Sequence, residues 1–299
     1  MSPQMATDPP RRTVAITGAN GFIGSNLVGH FRARGWNVLA LCRGARAQAP
    51  VPGVTFEEFS LASGAREEDL AGGDVLIHCA FVRHSKRNAD SDPINTLGTE
   101  RLFEQSRRLG YVQFVFLSSL SAHDRAESHY GRHKRNLERL FDPGRDLVVR
   151  PGLTLGNGGL ARSMVDAIRR SRFVPLVGGG RQPVYTIGVD ELCDALYRMV
   201  EQGTSGARNL AALEPVTVRE LYAGLARKVG VRCAFVPLPY LPVLVSLKIV
   251  EKLGVELPIT TEHLLGLRRL RAFDLAGDLK ALDVHPRSFA ETLQTLNFS

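Results

Sequence analysis

Thr13-Val14-Ala15-Ile16-Thr17-Gly18-Ala19-Asn20-Gly21-Phe22-Ile23-Gly24 runs from an apolar, β-branched segment through a glycine turn. An amphipathic segment follows at once, with Phe22, Ile23, Leu27, Val28 and Phe31 at helical spacing. Strand, tight turn and helix in this order form the start of a mononucleotide-binding unit. Gly18 allows the turn, Gly21 lets backbone N–H groups approach a pyrophosphate, and Gly24 lets helix and strand pack closely. The positive end of the helix favours the phosphate charge. The spacing is G-x-x-G-x-x-G, so the strand–turn–helix context carries the reading more than the glycines do.

Moving outward, strands are predicted over 36–42, 54–59, 74–78 and 112–117. A short acidic helix lies between the third and fourth strands, and a helix spans about Asp92 to Leu109. Nearly continuous apolar strands alternating with helices mean an α/β fold, a parallel sheet covered on both faces. Ligands of such sheets bind beyond the carboxyl ends of the strands. Gly18, Arg43, His78 and Ser119 all fall at such ends. His78 sits in a buried-strand context and reads as a packed residue. No Asp or Glu occurs between Gly24 and Glu57, whereas Arg43 and Arg46 follow the second strand. An acid there would hold a ribose 2′-hydroxyl and an arginine can accept a 2′-phosphate, so the pattern leans to NADP over NAD.

Tyr130 and Lys134 are four apart on a helix predicted to start near Glu127, and so share one face. A phenol is a poor acid–base group at neutral pH until a nearby cation favours its phenolate. Ser119, at the tip of the fifth strand, could hydrogen-bond a substrate oxygen while hydride moves.

These pieces together resemble the extended, NAD(P)-dependent epimerase/dehydratase branch of the short-chain dehydrogenase/reductase superfamily. The likeness runs through Thr17–Gly24, Ile77-His78-Cys79-Ala80, Asn95-Thr96-Leu97-Gly98-Thr99, Leu117-Ser118-Ser119, Tyr130-x-x-x-Lys134 and Val149-Arg150-Pro151-Gly152. It implies a Rossmann-like, doubly wound sheet with a smaller C-terminal substrate lobe. The implied boundaries are a tail at 1–12, a dinucleotide-binding domain at 13–155, and a lobe at 156–299 with some elements packing back on the first domain. By the same resemblance Tyr130 is the acid–base, Lys134 assists it and holds the nicotinamide ribose, Ser119 polarises the reacting oxygen, and Asn95 supports the active site. Gly18, Asn20, Gly21, Phe22, Ile23, Gly24, Arg43, Ser60, Leu61, Cys79, Ala80, Pro151 and Gly152 are the implied cofactor contacts, with Tyr130 and Lys134. Ser121, Asn157, Arg181 and Tyr185 are the implied substrate contacts.

Several positions depart from that pattern. Ser60-Leu61 stands where an Asp-Leu pair usually meets the adenine. Only ten residues separate Ser119 from Tyr130, less than the usual sugar-covering insert. Leu120 and Ser121 replace the Asp-Glu pair of the 4,6-dehydratases, which argues against dehydration. Val184 takes the place of an arginine that often clasps a sugar diphosphate, with Arg181 nearby. Further on, Thr217 and Glu220 form a capping box before an apolar run. The stretch 240–250 is the most hydrophobic, too short to span a bilayer and broken by Pro242 and Lys248; it reads first as a lid or pocket helix and second as a membrane-surface or partner-binding helix.

The chain has 299 residues, 44% hydrophobic and 23% charged, with a formal net charge of +8. The arginines are spread along many helices without interleaved aromatics, which excludes a nucleic-acid stripe and fits an anionic small-molecule ligand. Cys42, Cys79, Cys193 and Cys233 are scattered in apolar segments, as expected of reduced, buried thiols in a cytoplasmic protein. His123, His129 and His133 lack ligand spacing, so no metal site is expected, and no signal peptide or transmembrane segment is read. A homodimer pairing the Asn95 and Tyr130 helices is implied by the resemblance. Three functions stay open: an oxidoreductase or epimerase acting on a nucleotide-activated sugar, an NADP-dependent keto-reductase of another small molecule, and a non-catalytic dinucleotide-binding assembly protein.

Overall fold

A computed structural model describes residues 12–82, 90–240, 242–244, 273 and 275–298. Residues 1–11 of the predicted tail, and residues 241 and 245–250 of the hydrophobic stretch, lie outside the described residues. The chain divides into two compact units, residues 1–116 and 117–299.

The first unit carries β1 (Thr13–Thr17), α1 (Phe22–Ala33), β2 (Asn37–Cys42), β3 (Val54–Glu58), α2 (Glu67–Leu70), β4 (Val75–His78), α3 (Ser91–Arg108) and most of β5 (Gln113–Leu117). β1 runs parallel to β2 and β4, β2 to β3, and β4 to β5. Val14, Ala15, Ile16, Leu76, Ile77, Phe114 and Phe116 are fully buried, as strands covered on both faces require. Tyr111 packs beside Gly73, where a Cβ would overlap its ring, and donates its hydroxyl to the Leu70 carbonyl at 2.8 Å. Burial pushes that phenol well above its ordinary range.

The second unit continues with α4 (His129–Leu137), β6 (Leu147–Pro151), β7 (Leu153–Leu155), α5 (Gly159–Ser171), β8 (Phe173–Val177), β9 (Pro183–Val184), β10 (Thr186–Gly188), α6 (Val189–Glu201), β11 (Gly206–Leu210), β12 (Val216–Thr217), α7 (Val218–Lys228), β13 (Ala234–Leu238), α8 (Ala276–Leu282) and α9 (Phe289–Thr295). Its separate core gathers Met164, Val165 and Ile168 of α5, Leu221 and Leu225 of α7, and Phe289 and Phe298 near the end of the chain. The Thr217–Glu220 capping box forms as predicted, with the Thr217 Oγ accepting the Glu220 N–H at 3.1 Å.

The central sheet has the order β11-β6-β5-β4-β1-β2-β3. Six of these strands follow the order of a dinucleotide-binding sheet, with the switch point between β1 and β4. The chain has this Rossmann-like α/β fold. Among the described residues the other strands form short pairs, β10–β7, β12–β9 and β13–β8. No helix among the described residues is long and apolar enough to cross a membrane.

Candidate active site

In the first unit the glycine turn closes at the β1–β4 switch point. Gly18 takes φ +65°, and a Cβ there would press within 3.1 Å of the Ala80 backbone. The Gly21 N–H donates to the Gly18 carbonyl at 2.8 Å. A Cβ on Gly24 would overlap that same carbonyl, so the helix can lie this close to the strand only without one. Gly21 caps α1 without a side-chain hydrogen bond, and no acid occupies the first helical turn. The helix terminus therefore keeps its positive end for an anion, and the cradle fits a dinucleotide pyrophosphate. Phe22 and Ile23 are half-buried at its start.

Gly24→Ala is expected to cost about 1–3 kcal/mol of stability through overpacking against backbone. It should also weaken dinucleotide binding; thermal unfolding and nicotinamide fluorescence check both.

Around the switch point, polar groups hold the strand ends. The Thr17 hydroxyl accepts N–H groups from Cys79 and Ala80, each at 3.1 Å. With both lone pairs used, its proton goes to His78 Nδ1 at 2.7 Å, which leaves the ring proton on Nε2, donated to Thr99 Oγ1 at 3.1 Å. His78 also stacks on Phe116. It is a packed residue, as read from the sequence. Asn95 is buried, and its amide both donates to and accepts from the Val82 backbone at 2.8 Å. It positions the loop after β4. Ser60 bonds the Ser63 hydroxyl and N–H within its own turn, and Leu61 lies under Gly98 of α3. Asn20 donates to the Arg43 carbonyl at 3.1 Å, tying the glycine turn to the end of β2. The Arg43 residue is exposed there, while the Arg46 side chain lies outside the description.

In the second unit the turn after β5 carries Ser119, whose Oγ accepts the Ser121 N–H at 3.1 Å. Leu120 donates its N–H to the Pro151 carbonyl at 3.0 Å, which laces this turn to β6. Pro151 is followed by Gly152, where a Cβ would come within 2.6 Å of the Tyr185 carbonyl. α4 starts at Ser128, whose hydroxyl accepts the Gly131 N–H at 3.1 Å. A Cβ on Gly131 would overlap the Ser121 carbonyl, so the first turn of α4 rests directly on the Ser119–Ser121 turn. Tyr130 is 37% exposed, whereas Lys134, one turn later, is only 3% exposed. The Lys134 Nζ donates to the Leu117 carbonyl at 2.8 Å. The structure thus gathers Ser119, Ser121, Pro151, Gly152, Tyr185 and the start of α4.

Asn157 and Arg181 lie outside this group. The Asn157 amide oxygen accepts the Asn297 N–H at 2.7 Å and so fastens the end of the chain. Arg181 is exposed on the loop after β8. The buried Tyr185 accepts the Phe273 N–H at 3.3 Å. Among the described residues no cluster of three or more His, Cys, Asp or Glu could hold a metal. All four cysteines are free, with Cys42 and Cys193 buried; Cys79 and Cys233 are only half-buried, contrary to the expectation for all four.

One group of residues escaped sequence reasoning. Glu138, just past α4, has a side chain 3% exposed and pairs with Arg150 of β6. The same carboxylate accepts the Ser118 hydroxyl at 2.6 Å and an Arg135 N–H at 3.1 Å. Its only sequence signal is an acid four residues beyond Lys134.

The profile of the NAD dependent epimerase/dehydratase family matches residues 14–211, well over half of the chain. The chain belongs to this family. Within it, the chain is 29% identical over 253 residues to the 4-hydroxy-2-methyl-3-oxo-4-farnesyl-3,4-dihydroquinoline-1-oxide ketoreductase of Stigmatella aurantiaca, covering 75% of each chain. It is 28% identical over 257 residues to the dTDP-4-dehydro-6-deoxy-D-allose reductase of Streptomyces bikiniensis, covering 70% of this chain and 79% of that one. Among solved structures it resembles MoeE5 in complex with UDP-glucose and NAD, with a TM-score of 0.68 and 24% identity over 95% of this chain and 96% of that one. That last likeness extends to the fold. Like its relatives in this epimerase/dehydratase family, the chain is an enzyme of the extended short-chain dehydrogenase/reductase type.

Proposed function

We infer that the chain is an NAD(P)H-dependent reductase that turns a ketone into a secondary alcohol. One observation carries this reading: Lys134 is buried on the Leu117 carbonyl one turn from the exposed Tyr130. Lysine is rarely buried without a partner, and a merely solvated Tyr–Lys face would not bury it. The glycine turn and the uncapped start of α1 would hold the dinucleotide, which supplies a hydride to the carbonyl carbon when bound. Tyr130 gives its phenolic proton to the carbonyl oxygen as negative charge develops there. Ser119 accepts the Ser121 N–H, so its hydroxyl proton remains to be donated to the same oxygen. Lys134 places positive charge on the Tyr130 face of α4, and Asn95 keeps the loop after β4 in place.

Reduction is favoured over epimerisation by the two curated relatives, both named for reducing a substrate. Their named substrates differ, a farnesylated quinoline oxide and a dTDP-sugar. The reading here is accordingly a ketone held without a diphosphate clasp at Val184, which is buried in β9 against β12. Steady-state oxidation of NADH and NADPH against nucleotide-sugar ketones and long-chain ketones tests it. Turnover with stoichiometric alcohol is the expected result. Tightly retained NAD with inversion of a sugar centre and no net oxidation would overturn it.

A further inference from the structure

The loop after β2 is where a sheet of this order meets the adenosine ribose of a dinucleotide. β2 brings no acid of its own to that loop, but its neighbour does. β3 runs parallel to β2 with Glu58 in register with Cys42. The Glu58 Oε1 accepts the Gly44 N–H at 3.1 Å and its Oε2 accepts the Ala45 N–H at 3.0 Å. Gly44 takes φ +69°, the left-handed conformation that turns the chain into the short helix Ala45–Ala47. The loop is fixed beside the phosphate cradle, because Asn20 holds the Arg43 carbonyl and the Ala19 N–H donates to Leu41 at 3.2 Å. Glu58 is itself exposed. Its charge is felt by Cys42, whose thiol is pushed up by burial first and by Glu58 second.

Resting on the dinucleotide reading above, we propose that Glu58 sets cofactor preference: its carboxylate occupies the two N–H groups that a ribose 2′-phosphate would otherwise take. A 2′-phosphate must displace or face that negative charge. A 2′-hydroxyl need not, since a carboxylate bonded through each oxygen still has lone pairs to accept it. Arg43 on the same loop acts in the opposite sense, drawing a 2′-phosphate. The preference is therefore a contest between an acid from β3 and an arginine from the end of β2, and the leaning to NADP drawn from Arg43 omits half of it.

The test compares the parent, Glu58→Gln, Glu58→Asp and Arg43→Ala by nicotinamide fluorescence with NADH and NADPH. Competition by 5′-AMP and by adenosine 2′,5′-bisphosphate isolates the ribose end. Glu58→Gln removes the charge and should raise the NADPH-over-NADH affinity ratio about tenfold or more, since like charges set against each other cost well over that factor. The ratio of the two adenosine competitors should move with it, and Glu58→Asp should stay near the parent. If Glu58 only anchors the loop, both affinities fall together and the ratio is unmoved in a folded variant, which overturns the proposal alone. Failure of the parent to bind either dinucleotide overturns the dinucleotide reading and this proposal with it.

Discussion

Tyr130→Phe is expected to lower kcat by about 10²–10⁴-fold, the usual worth of a positioned acid–base group. The substitution removes one oxygen from a side chain that is 37% exposed. Gly131 still rests on the Ser121 carbonyl, Ser128 still caps α4, and Lys134 still reaches Leu117. The fold and the glycine cradle of the first unit are untouched. NADH and NADPH affinity, followed by nicotinamide fluorescence, should therefore stay within about twofold of the parent. A loss confined to kcat is the mark of a group acting in the transition state. If Tyr130→Phe turns over a ketone as fast as the parent, the reductase mechanism is wrong. If it binds cofactor and retains its full biological role, the assembly-protein reading takes its place.

How far the sequence reaches depends on the range of the interaction. The first strand, the turn and α1 are legible because everything that forms them lies within Thr13–Phe31: β-branched residues, three glycines and a helical apolar stripe. The Thr217–Glu220 box is legible for the same reason, since donor and acceptor are three residues apart. The Tyr130–Lys134 spacing places both residues on one face, but it does not report that Lys134 is buried while Tyr130 is exposed. That burial comes from the Leu117 carbonyl, 17 residues earlier. Glu58 was invisible as a ribose-side acid because it reaches the loop after β2 only through the parallel β2–β3 register. The Asn157 amide oxygen accepts an N–H from Asn297, 140 residues away. No spacing rule reports a bond of that length.

Glu138→Ala should cost about 3–5 kcal/mol, because it strips the shared acceptor from a buried cluster. Arg150 loses both of its bonds to that carboxylate, at 2.8 and 2.6 Å, while Ser118 and Arg135 lose one each. The Arg150 side chain is only 21% exposed and cannot fully rehydrate in place. Most of the loss is therefore the stranded guanidinium, and not the worth of the pair. That distinction is measurable. Removing both partners in Glu138→Ala/Arg150→Ala should cost clearly less than the two single losses added together. Urea unfolding of the two single variants and the double variant gives the coupling; strict additivity would mean that the pair does not act as a unit. The position of the cluster makes the variant informative about function as well. Glu138 follows α4 by one residue, Ser118 precedes Ser119, and Arg150 precedes Pro151, so the carboxylate ties together the segments that carry Tyr130, Ser119 and Pro151. A helix end released from that tie displaces Tyr130, and a misplacement of about 1 Å can cost about 10²-fold in rate. The isosteric Glu138→Gln should sit between parent and alanine in both stability and kcat. It keeps one acceptor oxygen but sets an amide NH₂ against the guanidinium or the Ser118 hydroxyl. Loss of rate and loss of stability should therefore rise together across Gln and Ala at this position, whereas Tyr130→Phe separates them.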